Sequence, residues 1–256
     1  MSFQFRLIFI LSLFFISFSS LADGEFKFSR DQPIEAEQPI LNYVEQESKI
    51  LVESMNRLLQ IPKDVSFVFG AEDGPLYDSE THEILMPDDF TFEVMGRFIN
   101  AKYVEKENEL YSVTMDVIEH TLYHELGHAL VDILQIPITG REEDAADNLA
   151  TMLVILSNEK GGEVALSAAD LFDLEGEDIK EFTDEDFWDE HSLDFQRFYN
   201  TICLIYGSEP NQYQYLIKEL DIAEDRAELC IDDYHRQSQS WGKLLKPYLK
   251  DKMLLK

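Results

Sequence analysis

The chain has 256 residues, 45% apolar and 28% charged, which supplies a sizeable core and argues against global disorder. Its 51 acidic residues against 21 Lys and Arg give a formal net charge of −30, a surface that repels nucleic-acid backbones and suits anionic membranes poorly. Two cysteines exclude a disulfide-dense scaffold, a four-cysteine zinc site and a cysteine-held iron–sulfur cluster.

Residues 1–22 read as a secretory leader. Arg6 supplies the positive start, Leu7 to Phe18 the apolar core, and Ser20-Leu21-Ala22 the small residues before a cut. The apolar stretch falls short of the roughly 20 residues that a membrane span needs. The expected product therefore starts at Asp23, is not held in a membrane, and is periplasmic or secreted. Export permits a disulfide, and Cys203 and Cys230 are the pair available.

The polar segment 23–39 reads as an extended lead-in. Ile40, Leu41, Val44, Leu51 and Met55 recur at helical spacing over 40–60, and Pro62 ends that helix. The β-branched and aromatic run Val65–Phe69 predicts a strand closed by Gly70. A weaker strand follows at Glu83–Met86, read as an exposed edge over a cleft. Helices are expected over 90–107 and 113–134, the second with an apolar band of Val117, Ile118, Leu122, Leu126, Leu130 and Ile133. Pro137 and Gly140 break the chain before a helix over 141–158, which Gly161-Gly162 ends. Further helices are expected over 163–172, 192–206, 212–218, 222–237 and 241–249. This order predicts an α+β fold, mainly helical with a small N-terminal sheet. Residues 23–256 form one domain, with an N-terminal lobe at about 40–134 and a helical C-terminal lobe at about 141–256.

His124-Glu125-Leu126-Gly127-His128 lies on the strongest helix. Histidines four positions apart share a helix face, so both imidazoles can meet one Zn²⁺. Glu125 can then reach a water at the metal without being a ligand. A catalytic zinc needs a third protein ligand and an open position. The next helix offers Glu143, with Asp144 as the alternative and Glu142 behind both. Asp147, one turn beyond Glu143, can accept the other ring N–H of His124 and fix its tautomer. His120 extends the histidine stripe, but a straight helix puts His120 and His128 about 12 Å apart. His120 is therefore a neighbour and not a ligand.

His124-Glu-Leu-Gly-His128 followed by Glu143-x-x-x-Asp147 resembles the gluzincin metallopeptidases. In that group the two histidines and the glutamate bind zinc, and the aspartate supports a histidine. The stretch from His124 to Val131, with Gly140 to Asp147, is more narrowly similar to a family of exported bacterial proteins described as metallopeptidases (the DUF4344 group). The likeness extends through Phe187-Trp-Asp-Glu-His191 and Arg197-Phe-Tyr199. The gap from His128 to Glu143 is shorter than in the large thermolysin-like enzymes, so the inter-helix insert is minimal here. The resemblance implies a zincin-like fold built on an active-site helix. It also implies one Zn²⁺ per chain on His124, His128 and Glu143, with Glu125 as the catalytic carboxylate.

The expected activity is hydrolysis of peptide bonds, with Glu125 as general base. A donor to the developing oxyanion is sought among His191, Arg197, Tyr199 and His235, with His191 and Arg197 ranked first. The substrate is a peptide or protein, cationic if the negative field biases the encounter. The alternative is a non-catalytic exported zinc protein serving as an interaction or scaffold module, which would leave Glu125 without a use.

Overall fold

The computed structural model describes residues 23–34, 38–157 and 160–250. The leader expected at 1–22 lies outside the described residues.

Four strands form one sheet: β1 (Phe26–Arg30), β2 (Val65–Phe69), β3 (Leu76–Asp78) and β4 (Glu83–Met86), in the order β1-β2-β4-β3. β1, β2 and β4 run parallel, while β3 runs antiparallel to β4. Val65, Phe67, Val68 and Phe69 of β2 are all buried. A parallel strand covered on both faces requires such an uninterrupted apolar run. Helix α1 (Pro39–Leu58) crosses from β1 to β2 and buries Ile40, Leu41, Val44, Leu51, Val52 and Met55.

Two sheet assignments differ from those expected. β1 sits in the segment read as an extended lead-in. Its alternation is short, with Phe26 buried, Lys27 exposed and Phe28 half-buried. Its pairing partner lies far along the chain, in the register Phe28 to Phe67. The expected edge, β4, is internal between β2 and β3. The edge is β3, three residues long and too brief for a periodic signal.

The rest of the described chain is mainly helical: α2 (Asp88–Ala101), α3 (Glu107–Leu134), α4 (Glu142–Ser157), α5 (Gly161–Asp178), α6 (Asp184–Trp188), α7 (Asp194–Ser208), α8 (Gln214–Glu219) and α9 (Glu224–Leu245). α2 stops six residues early because Lys102 turns left-handed, at φ 54°. α3 starts earlier than its apolar band, at Glu107, where acidic side chains in the first turn complement the helix dipole. It is buried on nearly every face, with Ile118, Leu122, Leu126 and Leu130 fully enclosed. This central helix packs against α1, α2, α4, α5 and strands β3 and β4.

Gly161 and Gly162 open α5 instead of only ending α4. A Cβ on Gly161 would lie 2.2 Å from the carbonyl of Val154, and one on Gly162 would lie 2.1 Å from the Tyr213 hydroxyl. The pair therefore permits a tight corner. The Asp184 run, expected as a separator, forms the short α6, and the last two expected helices merge into α9. The Cys203–Cys230 disulfide joins α7 to α9. Among the described residues, no helix is long and apolar enough to cross a membrane.

Candidate metal centre

α3 carries His124, Glu125 and His128 within two turns, and His124 and Glu125 are 5% and 6% exposed. α4 doubles back after a left-handed Gln135, at φ 53°. The two helices approach closely at Gly127, where a Cβ would come within 3.1 Å of the Ala146 Cα. That approach brings Glu143, in the first turn of α4, onto the two histidines.

Three atoms converge. His124 Nε2 lies 3.2 Å from His128 Nε2 and 3.1 Å from Glu143 Oε2, and His128 Nε2 lies 3.3 Å from the same oxygen. Donors about 2.05 Å from a tetrahedral zinc are separated by about 3.3 Å, so the spacing fits. The far nitrogens support the same reading. His124 Nδ1 donates to Asp147 Oδ1 at 2.8 Å, and His128 Nδ1 donates to Glu142 Oε1 at 2.9 Å. Each ring then turns the lone pair of its Nε2 toward Glu143. Three electron-rich atoms so close repel one another unless a proton or a cation lies between them. The donor set, two imidazoles and a carboxylate, suits a divalent ion of borderline softness.

His191 joins the cluster from the segment between α6 and α7. Its Nε2 lies 2.9 Å from Glu143 Oε2, and its ring stacks over that of His124. The donor atoms of His124, Glu143 and His191 all lie within 4.8 Å of one another, a group capable of holding a metal ion. Arg197 instead turns both its Nε and Nη2 to Asp147, at 2.8 and 2.9 Å, with its guanidinium over the Phe172 ring. The structure thus links Arg197 to His124 through Asp147.

The charges follow from these contacts. Burial draws the His124 imidazole down, but Asp147 and Glu143 outweigh it and push the ring up to about 9. Burial raises Glu143 and Asp147, yet the three imidazoles around Glu143 and the Arg197–His124 pair around Asp147 hold both well below the carboxylate range. Burial raises Glu125, against the opposing pull of the His124, His128 and His191 rings. His120 is enclosed, its Nε2 lies 3.0 Å from Thr151 Oγ1, and burial lowers it to about 4.

The acidic run before and within α4 distributes its tasks. Arg141 donates to the His191 carbonyl at 2.8 Å, Glu142 accepts from His128, Glu143 meets both histidines, and Asp144 accepts from Ser192 at 2.6 Å. Asp144, the alternative third ligand, is thus engaged with the segment that carries His191. Tyr199 is half exposed against Phe198, and His235 packs on Tyr234. The anchoring roles of Arg141, Glu142 and Asp144 were not read from the sequence, where adjacent charges look like a solvated helix start.

A cleft of about 430 Å³ opens over the cluster, lined by Pro75, Leu76 and Tyr77 of the sheet edge and by Glu125, Glu190 and His191 opposite. The Tyr77 hydroxyl donates to Asp132 at 2.9 Å, which ties β3 to the last turn of α3.

The fold and the cluster define a mainly helical protein with a small sheet and a histidine–glutamate group able to hold a metal. The chain belongs to the DUF4344 family, described as "Putative metallopeptidase", which matches residues 30–245. No curated protein and no solved structure matches it.

Proposed function

We propose that the protein is an exported, zinc-dependent peptidase with a zincin-like arrangement of sheet edge, central helix and ligand helix. The observation that carries this reading is the convergence of His124, His128 and Glu143 beside a buried carboxylate, Glu125, that opens onto the cleft. A structural clamp has no use for that carboxylate.

Zinc held by His124, His128 and Glu143 would acidify a water molecule and polarise the scissile carbonyl. Glu125 takes the proton as the water attacks and returns it to the leaving nitrogen. His191 donates to the oxygen that gains charge. Asp147 keeps the His124 proton on Nδ1, and Arg197 keeps Asp147 in place. β3 is the edge of the sheet and lines the cleft, so its free side suits an extended peptide added as a further strand. The net charge of −30 favours cationic peptides in the encounter. The Cys203–Cys230 bond and the Arg6-to-Ala22 leader support export to an oxidising compartment.

The test is elemental analysis followed by hydrolysis of an unstructured polypeptide library, read by mass spectrometry. The expected result is one zinc per chain and cleavage that a chelator stops and added zinc restores. A zinc-loaded protein that cuts nothing across a broad library would overturn the peptidase reading.

A further inference from the structure

A second cavity, of about 220 Å³, opens on the α5 side of Glu125. It is the size of a receptacle for one side chain, below the range of pockets that take whole small molecules. Its α5 wall is a stripe of Ala168, Leu171, Phe172 and Glu175, whose spacing places them on one helix face. The wall is thus apolar along its length with one carboxylate in it.

That carboxylate is poorly matched. Among the described residues it forms an ion pair with Arg97 at 3.6 Å, beyond hydrogen-bond reach. The Arg97 guanidinium already donates to Asp178 at 2.7 Å and to Glu93 at 3.1 Å. Arg197, which lines the cavity itself, is engaged by both oxygens of Asp147, and the His124 and His191 rings that also line it both meet Glu143. Burial pushes the Glu175 carboxyl up to about 7, as expected of a charge short of counter-charge.

We propose that this cavity receives a cationic side chain of the substrate, with Glu175 as its counter-charge and the α5 stripe against its aliphatic stem. As a substrate pocket it rests on the peptidase reading. Lys and Arg stems pack on apolar surface while their heads seek charge, which matches the wall. A purely aliphatic side chain would strip water from Glu175 and give nothing in return. An acidic one would face Glu125 and Glu175, while Arg197, His124 and His191 in the same lining are already held by Asp147 and Glu143.

Two probes that cannot be hydrolysed test the pocket: n-butylguanidinium and its neutral isostere n-butylurea. Both are titrated by ligand-observed NMR into the full-length wild type, Glu175→Gln, and Asp232→Asn as a control for general negative charge on an exposed site. The wild type should bind the guanidinium about tenfold more tightly than the urea, the order of a hydrogen bond to a charged group. Glu175→Gln should remove the preference and Asp232→Asn should keep it. Equal binding of the two probes, no binding of either, or a preference that survives Glu175→Gln would overturn the pocket. Neither probe contains a peptide bond, so the two readings fail separately. Selective binding on a protein that cleaves nothing removes only the peptidase, and cleavage without selectivity removes only the pocket.

Discussion

At the scale of single residues, neighbours in sequence take different tasks because the helix turns each to a different side. Glu143 faces His124 and His128, while Asp144, one position on, faces Ser192. Glu143→Ala should therefore abolish tight zinc binding in a competition titration, whereas Asp144→Ala should retain it. The opposite result would exchange the two assignments. Asp147 makes no contact with the proposed ion but fixes the ring that does. Asp147→Ala should weaken zinc affinity by roughly 10–100-fold, the usual cost of losing such a support. An unchanged affinity would mean that the tautomer of His124 is set elsewhere. The histidine pair and its carboxylates were legible in the sequence because i, i+4 spacing on one helix is local geometry. The hold of Arg197 on Asp147 was not, since it joins α4 to α7 and depends on how they pack.

At the scale of elements, α3 supplies three of the site residues and is itself held by what surrounds it. α4 and α5 cover it, α7 packs on both of those, and α9 backs α7 through the Cys203–Cys230 bond. The sequence separation of 27 implies about 3 kcal/mol from restricting the unfolded chain. Cys203→Ser with Cys230→Ser should lower the thermal midpoint by several degrees, measured by circular dichroism. A midpoint equal to that of the wild type would show that the helices need no tie. The long helices α1, α3 and α4 were legible from their 3.6-residue periodicity. The sheet was less so. β1 and β3 are short, and their places depend on β2 and β4, with which no local pattern connects them. The cavity facing Glu175 was hidden for the same reason, because α5 gains its meaning only when laid against α3.

At the scale of the whole molecule, excess acid costs stability where it is buried. Burial pushes Asp116 up to about 6, and burial together with Asp116 pushes Glu119 up to about 7. The folded chain then holds protons that the unfolded chain releases near pH 4. Between about pH 4 and 7 the native state binds more protons, so stability rises as the pH falls through that window. The melting temperature should be higher at about pH 5.5 than at about pH 8, and Glu119→Gln should raise it most at the higher pH. A midpoint that falls on mild acidification would contradict this.

The central claim is that Glu125 moves the proton in a zinc-dependent hydrolysis. Its most direct test compares wild type with Glu125→Gln, both confirmed by elemental analysis to hold one zinc, on one unstructured peptide library read by mass spectrometry. Gln keeps the size of the side chain but cannot take the proton. The account predicts cleavage by the wild type and a loss of at least about 100-fold in the variant, with zinc content unchanged and the melting temperature not lowered. Equal cleavage by both proteins would contradict it.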